Sequence, residues 1–194
     1  MKPYAMPNVF ELISPYTQQP DSRTCQSACI AQMLGLSSAS DVLRIRKELD
    51  NMAEPGEEAG SPYLMGRYLK SRVKAYKYND QASLNDAKRD LDNGYKLIIH
   101  TYLTTGHVIN LMGYKPNPAN GSYSFIVDDP WSEFDFPSWS YPYERTSGDN
   151  VQYSAYGIYA AAVVGESKDD AFKIYKHGEL DSNRKGMWMH SIKN

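Results

Sequence analysis

The sequence predicts an α+β fold, a mostly helical first half followed by an antiparallel sheet. Two observations predict it. Up to residue 94, most apolar residues recur at helical spacing behind serine or proline start signals. From Tyr95 the pattern changes to short apolar runs separated by turn residues, with Asn120-Gly121 between two of them. Helices first and neighbouring strands later is the order of an α+β domain.

The elements follow in chain order. Residues 1–16 are proline-rich, with one short apolar run at 9–13 that reads as an edge strand. Pro20, Asp21, Ser22 and Thr24 are loop and helix-start residues, and a helix then begins at or near Cys25, burying Ala28, Cys29, Met33 and Leu34 before Gly35 stops it. Ser38 with Asp41 resembles a capping box ahead of a helix carrying Val42, Leu43, Ile45 and Leu49. An acidic loop, Glu54 to Gly60, leads to Ser61-Pro62, which opens a third helix. Val73 to Tyr78 alternates as a strand, and Ser83 caps a short helix ended by Gly94.

Tyr95 to Leu103, His107 to Tyr114 and Tyr123 to Asp129 then read as three strands, the last two folding as a hairpin with its turn near Ala119. Residues 131–160 are aromatic and loop-like, and Tyr156 to Val164 reads as a closing strand, although its alanines also suit a helix. This gives a domain over residues 1–165 and a C-terminal extension over 166–194, polar and basic toward its end.

Length and composition narrow the function classes. A chain of 194 residues with 41% hydrophobic content has the size of one globular domain. Its net charge of −2 gives no electrostatic pull toward nucleic acid. No apolar run approaches membrane-spanning length and no secretory signal opens the chain, so it is expected to be cytoplasmic at synthesis and not membrane-inserted. Two cysteines one helical turn apart suit reduced thiols, and neither a C-x-x-C pair nor an H-E-x-x-H is present; no metal and no cofactor are expected.

The chemistry centres on Cys25. Unpaired N–H groups and the helix dipole favour a thiolate at a helix N-terminus. The competing reading is a small buried hydrophobe, a role that Cys29 fits well. The hairpin brings the start of its first strand, His107, to the end of its second, Asp128-Asp129-Pro130. Directly opposed residues of such a pair have Cβ atoms about 4.5–5.5 Å apart, which sets a carboxylate beside the imidazole. A thiol nucleophile needs a base, and the base needs an orienting acceptor. Cys25, His107 and Asp129 supply the three types, with Asp128 the alternative orienter if the register slips by one residue. The Cys25 backbone N–H and the Gln19 side-chain amide are candidate donors to an oxyanion.

Gln19, then Cys25-Gln26-Ser27-Ala28-Cys29-Ile30-Ala31, the segment Gly106-His107-Val108-Ile109-Asn110-Leu111-Met112-Gly113-Tyr114, and Val127-Asp128-Asp129-Pro130-Trp131 together resemble the papain-like cysteine peptidases. The closest branch is that of the bacteriocin-processing, double-glycine-leader peptidases and their stand-alone relatives. The resemblance spans roughly residues 10–165. It implies a papain-like fold with Cys25 as nucleophile, His107 as base and acid, Asp129 as orienter and Gln19 as oxyanion donor. One departure stands out: the family usually has Gly after the cysteine, where this chain has Gln26, either a crowding side chain or a substrate contact.

A thiol peptidase or amidase is therefore expected, with Gln26 and Trp131 as substrate contacts. The aromatic stretch from Trp131 to Tyr143 is either a wall of the cleft or a packing lid on the sheet. The substrate is a peptide, a protein or, for a phage-type endolysin whose basic tail meets the cell envelope, a peptidoglycan stem. The alternative is a peptidase-like binding module without turnover, which Gln26 favours; a metal hydrolase built on the same three side chains is a more distant third.

Overall fold

The computed structural model describes residue 12 and residues 14–117, 122–142 and 145–194. Most of the edge strand expected at 9–13 and the hairpin turn at Ala119 lie outside them. Six antiparallel strands form one sheet in the order β1-β6-β2-β3-β4-β5: β1 Ala75–Ala82, β2 Lys96–Thr101, β3 His107–Asn117, β4 Ser122–Asp128, β5 Val151–Ser154 and β6 Met187–Lys193. The fold is α+β, as the periodicities predict.

Helices cover both faces of the sheet, which explains why its strands read as continuous apolar runs. Along β2, Ile98 faces the helices α1 (Cys25–Met33), α2 (Ala39–Met52) and α3 (Pro62–Lys70). Its neighbours Leu97 and Ile99 face α4 (Leu84–Asp92), α5 (Ala155–Ile158) and α6 (Lys168–His177). Side chains alternate at period two, so a strand covered on both faces needs no polar positions.

α1 is the central helix of the first layer. Every residue from Gln26 to Met33 is buried, which is why the segment shows no clear amphipathic stripe. Gly35, at φ +73°, supplies the left-handed residue just past its end. Serines at positions 38, 61 and 83 cap α2, α3 and α4 as their spacing predicts, and Ser83 with Asp86 completes a reciprocal capping box.

Two expectations are corrected. Tyr156 to Val164 is not a strand: α5 continues into a π-helical segment at Tyr159–Val164. Ser154 caps that helix by accepting from the Gly157 N–H at 3.0 Å. A Cβ at Gly157 would lie 2.5 Å from the Phe136 ring, so the glycine allows close packing. The strand in this region is the shorter β5 just before it.

Residues 166–194 are likewise no free extension. They carry α6 and β6, and β6 lies between β1 and β2 inside the sheet. Of the basic residues near its end, Lys185 pairs with Asp86, His190 is fully buried, and Lys193 lies over the Tyr95 ring at 4.4 Å. β6 escapes a search for apolar runs because it buries His190 and Ser191, whose polar atoms are satisfied by Tyr76 (2.8 Å), His100 (3.0 Å) and Asp90 (2.7 Å). Among the described residues no helix is long and apolar enough to cross a membrane.

Candidate active site

The helix that carries Cys25 is the one whose start is left open. α2 to α6 each have a serine whose side chain accepts from the first turn. α1 has Thr24 at that position with no such bond, its hydroxyl donating to the Asp21 carbonyl instead (3.2 Å). The first hydrogen bond of α1 runs from Ala28 N to Thr24 O (2.9 Å), which leaves the N–H groups of Cys25, Gln26 and Ser27 outside the helical ladder. Cys25 is the first helical residue, where unpaired donors and the positive end of the dipole meet.

The Cys25 thiol and the His107 ring act on each other's protonation. Burial pushes the Cys25 pKa up, but the neighbouring His107 ring outweighs burial, and the thiol ends below its ordinary value. For His107 burial acts downward, and Asp129 and Cys25 overcome it, so the ring is held above the ordinary histidine range. The two shifts describe one coupled pair that favours thiolate and imidazolium. Cys29 differs: it is fully buried, donates to the Val108 carbonyl at 3.3 Å, and burial drives its thiol well up. It is a packing residue.

His107 opens β3 and reaches Asp129 just beyond β4, Nε2 to Oδ1 at 2.9 Å, both residues buried. They are not directly opposed. The β3–β4 ladder stops at Asn110↔Asp128, so the two side chains meet diagonally, a separation that such long groups span. The same register decides between the aspartates. Asp128 points to the α1 side, where Gln32 Nε2 donates to it and Asn150 N–H donates at 2.8 Å; Asp129 points to His107.

Asp129 has three further partners that the sequence did not disclose. Its Oδ1 also accepts the Trp131 N–H at 3.0 Å, and its Oδ2 accepts the hydroxyls of Tyr141 and Tyr153, each at 2.8 Å. The sixteen tyrosines were the only available signal, and aromatic content does not say which hydroxyl turns inward.

Cys25, His107 and Gln26 line a cleft of about 920 Å³. One wall comes from the helical layer, with Arg23, Arg46 and Ala59; the other comes from the sheet and the π-helical segment, with Gly106, Ala161 and Trp188. Gln26 stands against the sulfur, its Oε1 3.4 Å from Sγ. The other two candidates are not brought to this cleft. Gln19 is buried, with Nε2 donating to the Asp21 carbonyl at 2.6 Å and Oε1 without a partner. Trp131 lies under the Arg145 guanidinium at 4.1 Å and reaches the site through its backbone N–H to Asp129. The stretch behind it resolves as packing: Phe134, Phe136 and Trp139 are buried in the core beneath the sheet.

The model of the peptidase C39-like family matches residues 11–166. Among solved structures, the chain is similar to a candidate C39-like peptidase from Bacillus anthracis, with 15% identity, 96% of this chain and 97% of that one covered, and a TM-score of 0.50; at that identity the likeness concerns the fold. No curated protein matches.

Proposed function

The chain belongs to the peptidase C39-like family, and on that premise we propose that it is a cysteine peptidase or amidase in which Cys25, His107 and Asp129 carry the reaction. The observation behind this reading is that Cys25, at the open start of α1, and His107, hydrogen-bonded to the buried Asp129 carboxylate, line the same cleft.

In the resting enzyme the proton of Cys25 sits on His107, whose positive charge Asp129 stabilises. The thiolate attacks the carbonyl carbon of a peptide bond, and the carbonyl electrons move to oxygen. The N–H of Cys25, at the open start of α1, donates to that oxyanion. His107 returns its proton to the leaving nitrogen, the C–N bond breaks, and a thioester to Cys25 remains. Water then gives a proton to His107 and attacks the thioester. The acid product leaves and the thiolate–imidazolium pair is restored. Gln26, beside the sulfur, contacts the residues flanking the cleaved bond.

The substrate class is a peptide. A cell-wall stem lost its main support when the basic tail proved to be part of the sheet, and it stays as one arm of the test. Purified peptidoglycan and an unfolded protein are incubated with the wild type and with Cys25→Ala. New amino termini from either substrate with the wild type alone support a peptidase. Binding without cleavage by both proteins would replace it with a peptidase-like binding module.

A further inference from the structure

Asp129 is more heavily bound than an orienting carboxylate needs to be. It is fully buried and accepts four hydrogen bonds, two on each oxygen, and only one of them comes from His107. A buried carboxylate without partners is strongly unfavourable, and hydroxyl donors to a charged oxygen are among the stronger hydrogen bonds. Two phenols here converge on the single oxygen that His107 leaves unused. Tyr141 comes from the loop after β4, and its ring meets the His107 ring edge-on at 5.8 Å. Tyr153 comes from β5 and is held from behind, its oxygen accepting the Phe134 N–H at 2.8 Å. The main chain of Asp129 is fixed as well, its N–H donating to Gly148 O at 2.9 Å and its carbonyl accepting the Tyr16 hydroxyl at 2.9 Å.

We propose that Tyr141 and Tyr153 are positioning residues for the reaction, a pair of phenol donors that keep Asp129 charged and aimed at His107 and thereby set the pH at which Cys25 becomes a thiolate. The inference rests on the assignment of Cys25, His107 and Asp129 as the reacting set. Burial, together with the charge of Asp129, raises both phenols above their ordinary range, so they remain protonated donors throughout the working pH range. Hydroxyl donors to a carboxylate fix its position and hold its charge beside the imidazolium, which that charge stabilises. Removing the phenols therefore weakens the imidazolium and, through it, the thiolate. The other titratable and charged groups around Asp129 are Tyr16, Cys29, Asp128, Glu133 and Arg145. All remain in the variants, so a difference from the wild type is not theirs.

The test uses Tyr141→Phe, Tyr153→Phe and the double variant, which keep the rings and remove only the hydroxyls. The rate of Cys25 alkylation by iodoacetamide is followed from pH 4 to 9, with melting temperature as a check on packing. The expected result is an acid-side inflection about one pH unit higher in the double variant, and a smaller rise in each single one. Any peptide cleaved by the wild type should show kcat lowered about tenfold or more at an unchanged KM. An inflection and kcat equal to the wild type, even at a lower melting temperature, would reduce the tyrosines to packing residues and overturn the inference. A wild-type Cys25 that is not selectively alkylated would instead overturn the assignment of the reacting set. If the double variant does not fold, Tyr141→Phe, at a half-buried position, carries the same comparison.

Discussion

At the scale of single residues, the two neighbouring aspartates separate orientation from packing. Asp129 accepts from His107, and Asp128 is tied to Gln32 and Asn150 on the other side of β4. Asp129→Asn should lower kcat/KM by about 10²-fold or more, because an amide neither fixes the His107 tautomer nor stabilises its charge. Asp128→Asn should leave the acid limb of the activity profile in place and cost about 1–3 kcal/mol in denaturant unfolding, from strained or lost hydrogen bonds to Gln32 and Asn150. The meeting of His107 and Asp129 was legible in the sequence because the two bracket a hairpin, and the helix-terminal place of Cys25 because it follows helix-start residues. The choice between the aspartates was not legible, since a shift of one residue exchanges the faces and the bulge between Leu111 and Gly113 leaves no local mark. The partners of Gln19 and Trp131 were hidden for a related reason: spacing places a residue near a site but does not aim its side chain.

At the scale of elements, two segments resisted the sequence, and both now carry predictions. The π-helical segment after α5 is rich in Ala and Val, residues compatible with a buried strand or a buried helix, and only the Ser154 cap distinguishes them. Gly157→Ala should destabilise the fold by about 1–3 kcal/mol in denaturant unfolding, since the new methyl group meets the Phe136 ring. β6 mixes Met187, Met189 and Ile192 with His190 and Ser191, a composition that gains meaning only from Asp90, Tyr76 and His100 in distant elements. A chain ending after residue 182 should fail to give cooperative unfolding, because β1 would lose the strand it pairs with and β2 one of its two neighbours. A truncated chain with wild-type melting would contradict the sheet order.

At the scale of the whole molecule, two helical layers clamp a sheet, and the cleft between them ends at the open start of α1. Across the same sheet, His100 and His190 face each other, Nε2 to Nε2 at 3.0 Å. Burial lowers His100 to about 4, and burial with the charge of His100 holds His190 well below the ordinary histidine range. The unfolded chain takes up these protons near the ordinary pKa of about 6.5, before the folded chain does. Stability should therefore fall as pH drops from about 6.5 toward 4, and replacing both histidines with Phe should flatten that slope in denaturant titrations. The central claim, that the fold activates Cys25 through His107, is tested most directly by mapping iodoacetamide adducts at pH 7. Cys25 should be modified at least about tenfold faster in the wild type than in His107→Ala, while the fully buried Cys29 stays slow in both. Equally slow modification of the two cysteines, or a rate at Cys25 indifferent to His107, would contradict it.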